Sequence, residues 1–104
     1  MSMNQKQNVT AILYDKRGRI LSIGKNSYHK THPLQAKSAK AVGENYKVFL
    51  HAEIDALVKA KNWNKAHKLV VTRFTKDGKP ALAKPCKVCQ YAINMVGIKR
   101  IEHT

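Results

Sequence analysis

Carboxylates are scarce in this sequence: six Asp and Glu stand against 20 Lys and Arg, a formal net charge of +14 over 104 residues. Such a field draws anions, so nucleotides, nucleic acid and phosphate-bearing surfaces qualify as partners. The lysines are nevertheless dispersed. Lys16, Lys37, Lys59, Lys65, Lys76 and Lys99 form no block, so the charge supports an anionic substrate without establishing nucleic-acid binding. No apolar run approaches a membrane span, which argues against membrane insertion. The start, "MSMNQKQNVT", lacks the charged opening and apolar stretch of a secretory signal, so a cytoplasmic location is expected. Repeats, linkers and low-complexity segments are missing too. The apolar fraction, 43%, is ordinary and spread in short runs, so the chain reads as globular, one domain over residues 1–104 with a modest core. Cysteine is limited to Cys86 and Cys89. Two thiols three apart in a reducing compartment make a poor structural disulfide and leave a metal site or a redox pair.

What is present alternates between strand and helix patterns. "VTAILY" from Val9 and "ILSI" from Ile20 are β-type runs joined by "DKRGR", whose Asp15 and Gly18 supply turn chemistry, and they predict a hairpin. Pro33 at a first helical turn and Gly43 as a stop predict a short helix over 33–42. "LHAEIDALVKAK", Leu50 to Lys61, is the strongest helix pattern. Ile54, Leu57 and Val58 make one apolar stripe, with Asp55 and Lys59 paired on the exposed face and Trp63 packing near the end. "KLVVTRF" from Lys68 is a buried strand, Pro85 opens a helix that Gly97 stops, and "IKRIEH" alternates as a last strand. The order predicts an α/β layer, a mixed sheet of about four strands with helices packed on it.

The reactive side chains fall at helix starts. His51 and Glu53 open one strong helix, and Cys86 and Cys89 open another. Two helix N-termini in consecutive units of an α/β sheet can face one spot. One imidazole and two thiolates would then converge, which is three ligands of a tetrahedral zinc with one position open. A helix N-terminus lowers a thiol pKa through its unpaired N–H groups and the positive end of its dipole. Glu53, as a fourth ligand, would close the site, so its natural task is to move protons. Two plainer readings stay open: a thioredoxin-like redox pair, and a closed structural zinc site in which His67 or His29 is the fourth ligand.

"HAE" at His51 to Glu53 with "PCKVC" at Pro85 to Cys89 is the H-x-E and P-C-x-x-C signature of zinc nucleobase deaminases. From the hairpin at Val9 to Ile101 the chain resembles the cytidine/deoxycytidylate deaminase superfamily. With "GKNSYHKTHPLQ", "LHAEIDAL" and "KPCKVCQYAINMVGIKRI" it looks most like the short deoxycytidylate-deaminase-like proteins that phages encode. The resemblance implies a cytidine-deaminase-like three-layer sandwich and Zn2+ held by His51, Cys86 and Cys89. It implies that Glu53 is the proton shuttle in a hydrolytic deamination of a cytosine nucleotide, deoxycytidylate-like, with release of ammonia. It further implies that Asn26 contacts the sugar hydroxyl, while the backbone N–H of Ala52 and the carbonyl of Lys84 read the base edge. Lys25, Tyr28, His29, Lys30 and Arg73 are further candidates for phosphate or base contacts.

Two alternatives accompany this expectation. One is deamination of cytosine or adenine in single-stranded DNA or RNA, for which seven aromatic residues make a sparse platform and +14 is favourable. The other is a non-catalytic, zinc-stabilised binding module, against which Glu53 argues. Many members of the superfamily carry a helix before the first strand and a further element after the fourth. This chain has too few residues for either, so an exposed sheet edge and a homo-oligomer are expected.

Overall fold

Period-two alternation organises the sheet. In the computed structural model, which describes residues 8–47 and 49–104, β1 (Val9–Tyr14) buries Ala11 and Leu13. Its antiparallel partner β2 (Ile20–Lys25) sets Gly24 opposite Ala11 and Ser22 opposite Leu13. On the other side β3 (Lys68–Arg73) is also antiparallel and places Val71 and Leu69 on the same face. β4 (Arg100–His103) joins β3 in parallel, giving the mixed order β2-β1-β3-β4. The hairpin turn is held by Asp15, whose carboxylate accepts from the Arg17 and Arg19 N–H groups at 2.9 and 2.8 Å.

Three helices share a core with that face. α1 (Pro33–Ala41) buries Gln35, Ser38 and Ala39 at i, i+3, i+4 and packs mainly on α3. α2 (Ala52–Lys59) lies on β1 and β2 and buries six consecutive residues from Ala52 to Leu57. A single 3-10 turn at Trp63–Lys65 follows it, and the Trp63 indole donates to the Leu57 carbonyl at 2.7 Å, capping the helix end. α3 (Lys87–Val96) is the crossover between parallel strands β3 and β4, buries Val88, Cys89, Ala92 and Ile93, and ends at Gly97 with φ +88. The core therefore runs through Leu13, Ile54, Leu57, Leu69, Val71, Val88 and Ile93, all fully buried.

Three features hold α2 close to β2. A Cβ on Gly24 would land on the Ala52 carbonyl oxygen and the Ala56 amide nitrogen, so only glycine permits this approach. Ser22 Oγ donates to the Ala56 carbonyl at 2.6 Å, and the Lys25 N–H donates to Asp55 at 2.9 Å. Asp55 pairs with Lys59 at 2.9 Å, as its spacing predicts, but it is buried and not exposed, because the Lys25 backbone recruits it toward the sheet. Trp63 lies beyond α2 and not within it, since the helix ends at Lys59.

On the reverse face, register aligns Ile23, Ile12 and Val70 in one row and Ile20, Tyr14 and Lys68 in the next. Ile20 and Ile23 are exposed there, and none of the three helices covers them among the described residues. The described residues thus supply a helical layer and a sheet layer. No helix among them is long and apolar enough to cross a membrane.

Candidate active site

The N-termini of α2 and α3 meet. His51 is the residue before α2 and Cys86 the residue before α3, both with extended backbone, and Cys89 sits one turn into α3. His51 Nδ1 lies 3.2 Å from Cys89 Sγ and 3.5 Å from Cys86 Sγ. The three ligand atoms fall within 4.8 Å of one another, the one such group of metal-ligating side chains among the described residues. A tetrahedral zinc with Zn–S about 2.3 Å and Zn–N about 2.0 Å sets neighbouring N and S ligands about 3.5 Å apart. The donor set and spacing fit zinc, and neither His67 nor His29 joins the group, so the closed four-ligand reading finds no fourth residue among the described residues.

Electrostatics within the cluster are coupled. The Cys89 thiol, then the His51 imidazole, stabilise the Cys86 thiolate and bring its pKa down to about 3. Cys89, as the donor in that pair and deeply buried, is pushed up in turn. The Cys86 thiolate also raises His51. α3 has no acidic side chain in its first turn, so the thiolate is the negative charge that complements this helix end. Glu53, in the first turn of α2 and 6% exposed, reaches the Cys89 thiol, and burial raises its carboxyl pKa. A carboxyl raised by desolvation holds and releases a proton nearer neutrality than a solvated one.

A cavity of about 380 Å³ opens over His51, Glu53 and Cys86. That volume lies at the small end of the range of about 300–1,000 Å³ typical of ligand pockets. Its walls come from three segments. The loop after β2 pairs with the approach to α2, through Ser27 N–H to Leu50 carbonyl at 2.8 Å and Leu50 N–H to Lys30 carbonyl at 2.9 Å. This pairing sets Asn26 and Tyr28 beside the ligand His51. Asn26 is itself fixed, its Oδ1 accepting from the Val9 N–H at 3.0 Å. The third segment, Arg73 to Lys84, is tied back where Arg73 donates to the Leu82 carbonyl at 3.2 Å.

Of the residues singled out in the sequence, Asn26, Tyr28, Ala52, Glu53, Arg73 and Lys84 line the cavity with His51 and Cys86. Cys89 lies fully buried behind them. Lys25, His29 and Lys30 do not line it. Their backbone N–H groups donate to Asp55 for Lys25 and to Ser27 Oγ for the other two, and their residues are exposed. Sequence reasoning missed Tyr46, Lys47, Phe49 and Leu82, which also line the cavity. The signal was the basic and aromatic cluster in "GENYKVFL" just ahead of the His-x-Glu motif. Glu44 pairs with Lys47 at 2.8 Å and raises its pKa, so the ammonium stays charged.

Comparison with curated proteins finds no match. The family model of the cytidine and deoxycytidylate deaminase zinc-binding region matches residues 2–103, which covers both halves of this cluster, and the chain belongs to that family.

Proposed function

We propose that residues 1–104 act as one cytoplasmic domain that hydrolytically deaminates a cytosine nucleotide, deoxycytidylate-like, to the uracil product and ammonia. The observation that carries this reading is the buried Glu53 carboxyl beside the His51, Cys86 and Cys89 cluster, lining a cavity of about 380 Å³. Zinc, held by those three residues, supplies the Lewis acidity that makes water nucleophilic near neutral pH. Glu53 takes a proton from the attacking water and delivers it to N3 of the base. As the C4–O bond forms and the C4–N bond breaks, Glu53 passes the second water proton to the leaving amine. One proton stays on N3 and the other departs with ammonia, so the reaction balances as cytosine plus water. The Ala52 N–H and the Lys84 carbonyl face the base edge, Asn26 the sugar, and Lys47, Lys84 and Arg73 supply cations for a phosphate.

A second reading has its own observation. Tyr46, Phe49, Tyr28 and Leu82 at the cavity mouth are 75%, 48%, 42% and 70% exposed, which suits stacking of bases flanking a target in single-stranded DNA or RNA. Ammonia release from zinc-assayed protein over free cytosine nucleosides, nucleotides and single-stranded oligonucleotides separates the two. Turnover of a free cytosine nucleotide is expected. Activity confined to oligonucleotides would replace the first reading with the second, and silence despite bound zinc would leave the binding module. The edges β2 and β4 and the exposed Ile20 and Ile23 support a homo-oligomer, which a monodisperse monomer in light scattering would remove.

A further inference from the structure

The two arms of the metal cluster arrive on different helices, and a third helix touches the supports of both. Gln35, on the buried face of α1, is fully buried. Its Oε1 accepts from the His51 backbone N–H at 3.1 Å, and its Nε2 donates to the Lys47 carbonyl at 2.9 Å. His51 precedes the first turn of α2, so its N–H belongs to no helical ladder. The amide of Gln35 therefore fixes the backbone of a metal-ligating residue and, four residues earlier, of a cavity-lining cation. The same helix packs on α3, whose start carries Cys86 and Cys89. A shift of α1 would move His51 relative to both sulfurs.

We propose that Gln35 is a positioning residue for the metal centre: through the His51 N–H and the Lys47 carbonyl it sets where the imidazole meets the two thiols. This rests on the metal cluster and not on the identity of the substrate. Its role is distinct from core packing because an apolar side chain of equal length fills the same space and makes neither hydrogen bond. Leaving a half-buried N–H and carbonyl unpaired frees the segment to relax, and supports of this kind typically change metal affinity or activity by about 10–100-fold when removed.

The test is a zinc competition titration against a chromogenic chelator, with the absorption spectrum of the cobalt-substituted protein alongside. Gln35→Met keeps volume and loses both bonds; Gln35→Glu keeps an acceptor for the His51 N–H and loses the donor to Lys47. Gln35→Met is expected to weaken zinc binding by about 10–100-fold and to alter the cobalt ligand-field bands, with Gln35→Glu recovering a measurable part of that loss. A folded Gln35→Met protein with wild-type zinc affinity and an unchanged cobalt spectrum would overturn the proposal, whatever its melting temperature. Should Gln35→Met not fold, hydrogen exchange at the His51 amide of the unmodified zinc protein decides. Strong protection is expected, and exchange at the rate of an open loop would contradict it. Neither readout needs a substrate, so both hold even if no cytosine nucleotide is turned over.

Discussion

At the scale of single residues, the cluster trades protons for metal. Before zinc binds, Cys86 is a thiolate, its pKa brought down to about 3, while Cys89 keeps its proton and His51 binds one more readily than a free imidazole. Zinc needs both sulfurs as thiolates and the imidazole neutral. Binding must therefore expel the Cys89 proton and any proton on His51, and affinity should rise with pH. Calorimetry in buffers of different ionisation enthalpy should show release of about one proton or more per zinc near neutral pH. Proton-independent binding would contradict the ligand assignment. That His51, Cys86 and Cys89 gather was legible in the sequence because coordination chemistry fixes the type and spacing of such ligands. Gln35 was not, because a glutamine on a helix carries no mark of burial until its two backbone partners, 12 and 16 residues away, fold beside it.

Among elements, the close approach of α2 to β2 decides where His51 and Glu53 stand. Gly24 permits that approach and Ser22 and Asp55 anchor it. Gly24→Ala should cost about 3 kcal/mol or more, since the obstacle is helix backbone and cannot rotate away. Denaturant unfolding checks this; a loss under about 0.5 kcal/mol would mean that α2 can slide without harm. The strands and helices were readable from their periodicity, and their order is as expected. The ends were less so: α2 runs Ala52–Lys59 where the pattern suggests Leu50 to Lys61, because pairing of Leu50 with Ser27 and Lys30 holds that residue extended. Asp55 was misjudged for a related reason. Helical spacing identifies its partner Lys59 but not the Lys25 N–H that draws it inward.

Over the whole molecule, charge and exposed surface bear on what reaches the cavity. The resemblance implies three layers; the described residues provide a sheet and one helical layer, with Ile20 and Ile23 exposed on the other face. The net charge of +14 attracts any nucleotide, and salt distinguishes one phosphate from many. Contact with a single strand weakens with salt at a log–log slope of about −0.7 per neutralised phosphate. For a free nucleotide, kcat/KM should therefore fall with a slope no steeper than about −1. If oligonucleotides are turned over with a slope steeper than about −2, several phosphates are engaged and the single-strand reading gains the site.

The central claim is that Glu53 moves protons at a metal centre held by His51, Cys86 and Cys89. Ammonia release and zinc content, measured side by side for the native protein and Glu53→Gln on a free cytosine nucleotide, test it most directly. Turnover should fall by about 10²–10⁴-fold with zinc content unchanged. Stability at neutral pH should hold or rise, because burial raises the Glu53 pKa and ionising that carboxyl destabilises the fold as pH climbs through it. Equal turnover by the two proteins at equal zinc content would contradict the account.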